Sequence, residues 1–165
     1  ALYQAHFSYV FGTLRRLGVA EKDREDLAHD VFLVVHRRLP DFDPARPVRP
    51  WLFGIAYRVA LDHGRRAFVK REQQDDGFDA PDPAADALER LEAQERRRLV
   101  ELGLASLDVE KRAVFVLHEI DELPAPEIAR VLEIPLNTVY SRLRAAREGF
   151  EKGVRRAVAR RRERA

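Results

Sequence analysis

The 165-residue chain has no cysteine and no methionine. The first absence excludes disulfides and thiolate metal sites. The second suggests that the natural start lies upstream of Ala1. Aromatic residues make up only 8% of the chain, with a single tryptophan, Trp51. No apolar run approaches the roughly 20 residues of a membrane-spanning helix, and no signal peptide opens the sequence. Nor does any stretch keep the alternation of a half-buried strand. What is present is a chain with 45% hydrophobic and 35% charged residues, the profile of a helical protein. Together these features point to an intracellular, most simply cytoplasmic, location.

The net charge of +2 hides a strong segregation. Residues 1–71 hold 13 basic and 8 acidic side chains, and residues 72–101 hold 4 and 10. Residues 102–141 hold 3 and 7, and residues 142–165 hold 10 and 3. Two basic blocks therefore flank an acidic middle, as expected of a chain that meets a polyanion, most often nucleic acid, at two places.

Punctuation by proline and glycine divides the chain. A first helix runs from Leu2 to Leu17 and stops at Gly18. A second has Asp23 as a suitable N-cap, with Asp26 in the manner of a capping box, and runs to about Leu39 before Pro40. The stretch Pro40 to Pro50 is expected to be an extended loop. A third helix follows from about Pro50 to Lys70. Residues 73–86 have linker composition, and a second helical block begins near Ala87. The simplest organisation is all-α, with two small helical domains (1–72 and 87–165) joined by a flexible acidic linker.

Three segments carry candidate chemistry. In the second helix Asp26, His29, Asp30 and Leu33 share one exposed face, while Leu27, Val31, Val34 and Val35 look inward; two carboxylates beside an exposed leucine suit docking to a basic protein surface. In "RPWLFGIAYRVALDHGRR", Trp51, Arg58, Asp62 and Arg65 fall in one arc, next to the core arc of Leu52, Ile55, Ala56 and Val59. An aromatic beside guanidinium groups can stack an exposed base and neutralise its phosphates, with Asp62 placed to orient both arginines. The competing reading is a core-edge tryptophan beside a solvated ion-pair string. Finally, "PEIARVLEIPLNTVYSRLRAAR" has the helix-turn-helix pattern. Ile128, Ala129, Leu132, Val139 and Leu143 face inward, and the second helix offers Asn137, Thr138, Tyr140, Ser141, Arg144 and Arg147 to base edges and phosphates. Glu133 stands in the turn where glycine would ease a left-handed backbone.

Taken together, these segments resemble the extracytoplasmic-function (ECF) group of bacterial RNA polymerase sigma factors. "DREDLAHDVFLVVHRRLPDFD" is similar to the group's core-binding segment, "RPWLFGIAYRVALDHGRR" to its promoter-melting segment, and the stretch from Leu104 to Arg147 to its C-terminal helix-turn-helix domain. The resemblance implies that the face with Asp26, His29, Asp30 and Leu33 binds the β′ clamp helices of core polymerase. It implies that Trp51, Tyr57, Arg58, Asp62, Arg65 and Arg66, with the proline-rich loop, open and hold the minus-ten element. The helix from Asn137 to Arg147 would enter the major groove of the minus-thirty-five element, and its domain would touch the β flap tip. The acidic linker would thread the RNA-exit channel, and an anti-sigma factor is an expected partner. No cofactor, metal or catalytic residue is implied. Departures include His29 and Asp30 for the usual glutamine and glutamate, Val59 for asparagine, Asn137 for glycine and Ala145 for arginine, so the promoter sequence is this chain's own. Two other functions fit parts of the sequence. A regulator that never joins polymerase would use the helix-turn-helix alone. A metal phosphohydrolase of the HD type would use His29–Asp30, although no further ligand motif accompanies that pair.

Overall fold

The computed structural model describes residues 1–68 and 87–165. The expected linker at 73–86, and the end of the third helix at Lys70, lie outside the described residues. Helices account for nearly all of the rest, and no strand occurs among the described residues.

The first half is built from α1 (Leu2–Arg16), α2 (Glu21–Arg38) and α3 (Val48–Phe68). Gly18 takes φ +90°, which only glycine adopts without strain, and turns the chain into α2. Arg24 Nε donates to the Val19 carbonyl at 2.9 Å and fastens that turn. Asp23 is not the N-cap expected from the sequence. The helix begins at Glu21 with Ala20 at the cap position, because Glu21 and Asp23 inside the first turn already complement the positive end of the helix. The Asp23 carboxylate instead meets His63 Nε2 of α3 at 3.3 Å.

The proline-rich stretch also departs from a simple extended loop. Leu39–Asp41 continues α2 as one 3-10 turn, and α3 begins at Val48, with Pro50 in its first turn. Proline fits there because the first helical N–H groups have no intrahelical acceptor. Between these turns the Asp43 side chain accepts from the Ala45 N–H at 3.0 Å.

The second half comprises α4 (Ala87–Ala105), α5 (Val109–Phe115), α6 (Ala125–Leu132) and α7 (Leu136–Arg164). Asp108 caps α5 by accepting from the Lys111 N–H at 2.9 Å. A π turn over Val116–Ile120 extends α5, burying Val116 and Leu117. The basic tail is the end of α7, a single helix that runs on from the helix-turn-helix. Helix α4 packs along α7, where Gly103 and Gly153 leave no room for a Cβ against Phe150 and Ser106.

The two halves are in contact, and their buried residues form one continuous cluster. Val10, Leu14, Val31, Leu52 and Ile55 fill the first half; Val114, Leu117, Ile128, Val139 and Ala146 fill the second. Helix α3 lies between them, packing on α1 and α2 on one side and on α5 and α6 on the other. That position explains why every residue from Leu52 to Tyr57 is buried. A helix with one covered face would bury only a stripe.

Candidate nucleic-acid interface

On α2, Asp26, His29, Asp30 and Leu33 are all exposed, while Leu27, Val31 and Val35 are buried and Val34 is half-buried. Leu33 is 56% exposed, an apolar side chain held in solvent one turn beyond Asp30. His29 stacks on Tyr3 of α1, the ring centroids 6.1 Å apart, and Phe7 and Phe32 continue the aromatic cluster. His29 is thus held against the rings of α1. Among the described residues no cluster of three or more potential metal ligands forms.

On α3 the expected arc divides. Asp62, Arg65 and Arg66 are exposed. Trp51 is half-buried and packs on Phe42 of the proline-rich segment, with ring centroids 4.7 Å apart. Arg58 does not pair with Asp62. Its guanidinium reaches the other half of the chain, 3.0 Å from the Glu133 carboxylate, and donates to the Val131 carbonyl at 3.5 Å. Tyr57 is buried at 4% exposure, and burial pushes its phenol pKa up against the opposing pull of Arg142 from α7. It is therefore not on an open face, where the family resemblance would have it meet the minus-ten element. The reason is the covering of α3 on both sides, which an isolated helix pattern does not reveal.

The helix-turn-helix forms as expected. Ile128, Leu132, Val139 and Leu143 are buried and Ala129 is half-buried. Glu133 adopts φ 56° and ψ 48°. The Ile134 N–H then bonds the Ala129 carbonyl at 3.0 Å, the closure that normally follows a left-handed residue at a helix end. On α7 Asn137, Tyr140, Ser141, Arg144 and Arg147 are exposed, and Thr138 is half-buried. The Ser141 hydroxyl donates to the Thr138 carbonyl at 3.1 Å. Arg147 is held by Glu119 of the π turn, whereas Arg144 carries no such partner among the described residues.

Other charged pairs also bridge the halves: Arg15 of α1 with Glu101 of α4, and Arg16 with Asp121 at 3.9 Å. Burial raises the Asp121 pKa, while Arg16 and Arg49 pull it back. A groove lies between the proline-rich segment and α6. Phe42, Trp51 and Arg58 line one wall; Glu127, Val131 and Glu133 line the other.

Comparison with known proteins gives the arrangement its family. The model of sigma-70 region 2 matches residues 2–68, and that of sigma-70 region 4 matches residues 97–148. The RNA polymerase sigma factor CnrH of Cupriavidus metallidurans is 33% identical over 145 residues, covering 81% of this chain and 74% of its own. The ECF RNA polymerase sigma factor RpoE of Cereibacter sphaeroides is 30% identical over 146 residues, covering 88% and 80%. The chain belongs to the ECF RNA polymerase sigma factors. The solved sigma factor RpoE of Bartonella quintana, in complex with the anti-sigma factor NepR, shares the fold of this sigma factor. It matches with a TM-score of 0.72 over 93% of this chain and 94% of its own, at 14% identity. As a sigma factor the protein is no enzyme. Its His29–Asp30 pair is accordingly not a hydrolytic dyad. No described helix of this sigma factor is long and apolar enough to cross a membrane.

The sequence reading missed Glu133 as a partner of Arg58, Arg142 beside Tyr57, and Glu119 as a partner of Arg147. Only the first left a trace, in the glutamate at a turn position that favours glycine.

Proposed function

We propose that residues 1–72 act as region two, residues 87–165 as region four and residues 73–86 as the linker between them. In this reading the α2 face with Asp26, His29, Asp30 and Leu33 docks on the basic clamp helices of the polymerase β′ subunit. Trp51, Arg58, Asp62, Arg65 and Arg66, with the proline-rich segment, hold the melted non-template strand of the minus-ten element. Tyr57 acts only if α3 is uncovered. Helix α7 enters the major groove of the minus-thirty-five element through Asn137, Thr138, Tyr140 and Ser141, with Arg144 and Arg147 on the backbone, and its domain touches the β flap. The sigma factor works in the cytoplasm. An anti-sigma factor is a further partner, supported by the fold shared with RpoE, which was solved bound to one.

The observation that carries the reading is the pattern of exposure. Carboxylates with an exposed leucine form one face, Arg65 and Arg66 on the helix whose first turn carries the half-buried Trp51 form a second, and short polar side chains at a helix N-terminus form a third. These chemistries suit a basic protein, a single strand and a duplex groove respectively. The mechanism is recruitment followed by strand capture, and binding free energy drives it. Run-off transcription with core polymerase on a library of promoter fragments tests the reading. Initiation that depends on the protein, from a subset sharing two sequence elements, is expected. Duplex binding that never redirects core polymerase would overturn it.

A further inference from the structure

The contact between α3 and α6 is close and specific. A Cβ at Gly54 would lie 2.8 Å from the Val131 carbonyl oxygen, so the two helix backbones meet where only glycine fits. One turn further along α3, Arg58 sits at the C-terminal end of α6. It faces the Val131 carbonyl and the Glu133 carboxylate, the place where a cation meets the negative end of a helix.

Glu133 is the odd residue in this contact. Its backbone is left-handed, a conformation in which a non-glycine side chain is strained. Glycine there would form the same helix-turn-helix with less cost, but it would carry no charge to Arg58. A strained residue is retained where the surroundings give it a task. Here the Glu133 side chain carries the ion pair across the two halves.

The consequence for the site is asymmetric. Helix α6 and its C-terminal turn line the groove beside Trp51 and Arg58; Glu127 is paired there with Arg130 of the same helix, while Glu133 occupies the Arg58 guanidinium that a strand's phosphate would otherwise meet. Tyr57 is sealed below, against α7. Yet Asn137, Tyr140, Ser141 and Arg144 remain exposed, as does the α2 face.

We infer that the free chain is self-closed: α6 covers the strand-capturing face of α3, latched by Arg58–Glu133, while the duplex-reading and polymerase-docking faces stay open. The inference rests on the reading of α3 as that strand-capturing face. The latch is built to release, because an ion pair this exposed, with side chains 33% and 64% accessible, contributes little on its own and weakens with salt. Polymerase and duplex can therefore engage the closed chain, and single strand binds only after the halves part. Apparent affinity for single strand is lowered by the fraction of chains that are open.

The test uses the full chain. With no native cysteine, His36→Cys and Glu148→Cys accept a donor and an acceptor dye at exposed sites on opposite halves. Energy transfer reports closure, and anisotropy with a mixed-sequence DNA single strand of about 15 nucleotides reports the site. Glu133→Gln, which keeps the backbone strain, and Glu133→Gly, which relieves it, are both expected to lower transfer. Both should tighten strand binding by about threefold or more and leave duplex binding unchanged. The swap Arg58→Glu with Glu133→Arg is expected to restore transfer. Unchanged transfer in both Glu133 variants overturns the latch. Lowered transfer with no strand binding by any variant, alone or with core polymerase, overturns the strand-capture reading instead.

Discussion

The pairing of Arg147 with Glu119 makes a prediction about duplex binding that can be worked through in magnitude. Arg144 and Arg147 both project from the exposed side of α7, but only Arg147 is engaged, by Glu119 on the π turn. Each arginine that neutralises a phosphate contributes about 0.9 to the slope of log affinity against log salt. For Arg144→Ala the slope should therefore flatten by about 0.9, worth about 3.5-fold over a fourfold change in salt. Arg147 must leave Glu119 before it meets a phosphate. Their side chains are 53% and 33% exposed, so that separation costs about 0.2–1 kcal/mol, and Arg147→Ala should lose correspondingly less than Arg144→Ala. Glu119→Gln releases Arg147 and removes a negative charge near the backbone. It should raise affinity by about 1.5- to 5-fold at low salt, the same range read as a ratio. The assay is fluorescence anisotropy of the full chain with a mixed-sequence duplex, titrated at several salt concentrations. If Glu119→Gln leaves affinity unchanged while Arg147→Ala costs as much as Arg144→Ala, the pair does not compete with DNA and the reasoning fails.

Three further outcomes are expected. Asp30→Arg should weaken binding to core polymerase by at least about tenfold in a pull-down or anisotropy titration; because Asp30 is exposed, its thermal midpoint and duplex affinity should match the unmodified chain. Phe53→Ala removes a side chain that is 1% exposed in the buried run of α3 and should lower stability by about 3–5 kcal/mol in urea denaturation. The Tyr9 phenol, its pKa pushed up to about 12 chiefly by burial and then by Asp121, should titrate late in alkaline absorbance together with the buried Tyr57, and Tyr9→Phe should diminish that late component. Since the folded chain keeps this proton longer than the unfolded one, the contribution of Tyr9 to stability is lost as pH rises from its ordinary value of 10.0 toward 12.

What the sequence disclosed and what it withheld differ in kind. The exposed face of α2 and the buried positions of the helix-turn-helix follow from spacing alone, because each element has one covered side and 3.6-residue periodicity reports it. The start of α3 and the turns of the proline-rich stretch were misjudged by a few residues. Proline restricts a backbone without saying which turn will absorb the restriction. The greater difference lies on α3. Its spacing places Arg58 with the nucleic-acid groups and the family resemblance adds Tyr57, but a helix covered on two sides turns Tyr57 into the core and Arg58 toward Glu133. That covering arises from contacts between residues more than 70 positions apart, as in Arg58 with Val131, and no local window contains them. Glu133 did break a local rule in plain view, and it proved to be half of the contact between the halves.

Helix α7 has a mechanical consequence that outlasts the question of which residues touch DNA. Its 29 residues from Leu136 to Arg164 make a rod about 43 Å long. Its leading end offers the base-reading side chains, and its trailing end is clamped along α4, including the tie between Arg161 and Glu95. Its leading half is buried on α5 and α6 through Val139, Leu143 and Ala146, so rod and helix-turn-helix move as one body: a tilt of about 10° where the rod lies on α4 sweeps the tip through about 7 Å, more than one helical pitch. The register of α7 in a groove is thus set at a distance from the groove itself. Substitutions in α4, far from any base, should shift promoter choice as effectively as substitutions at the tip.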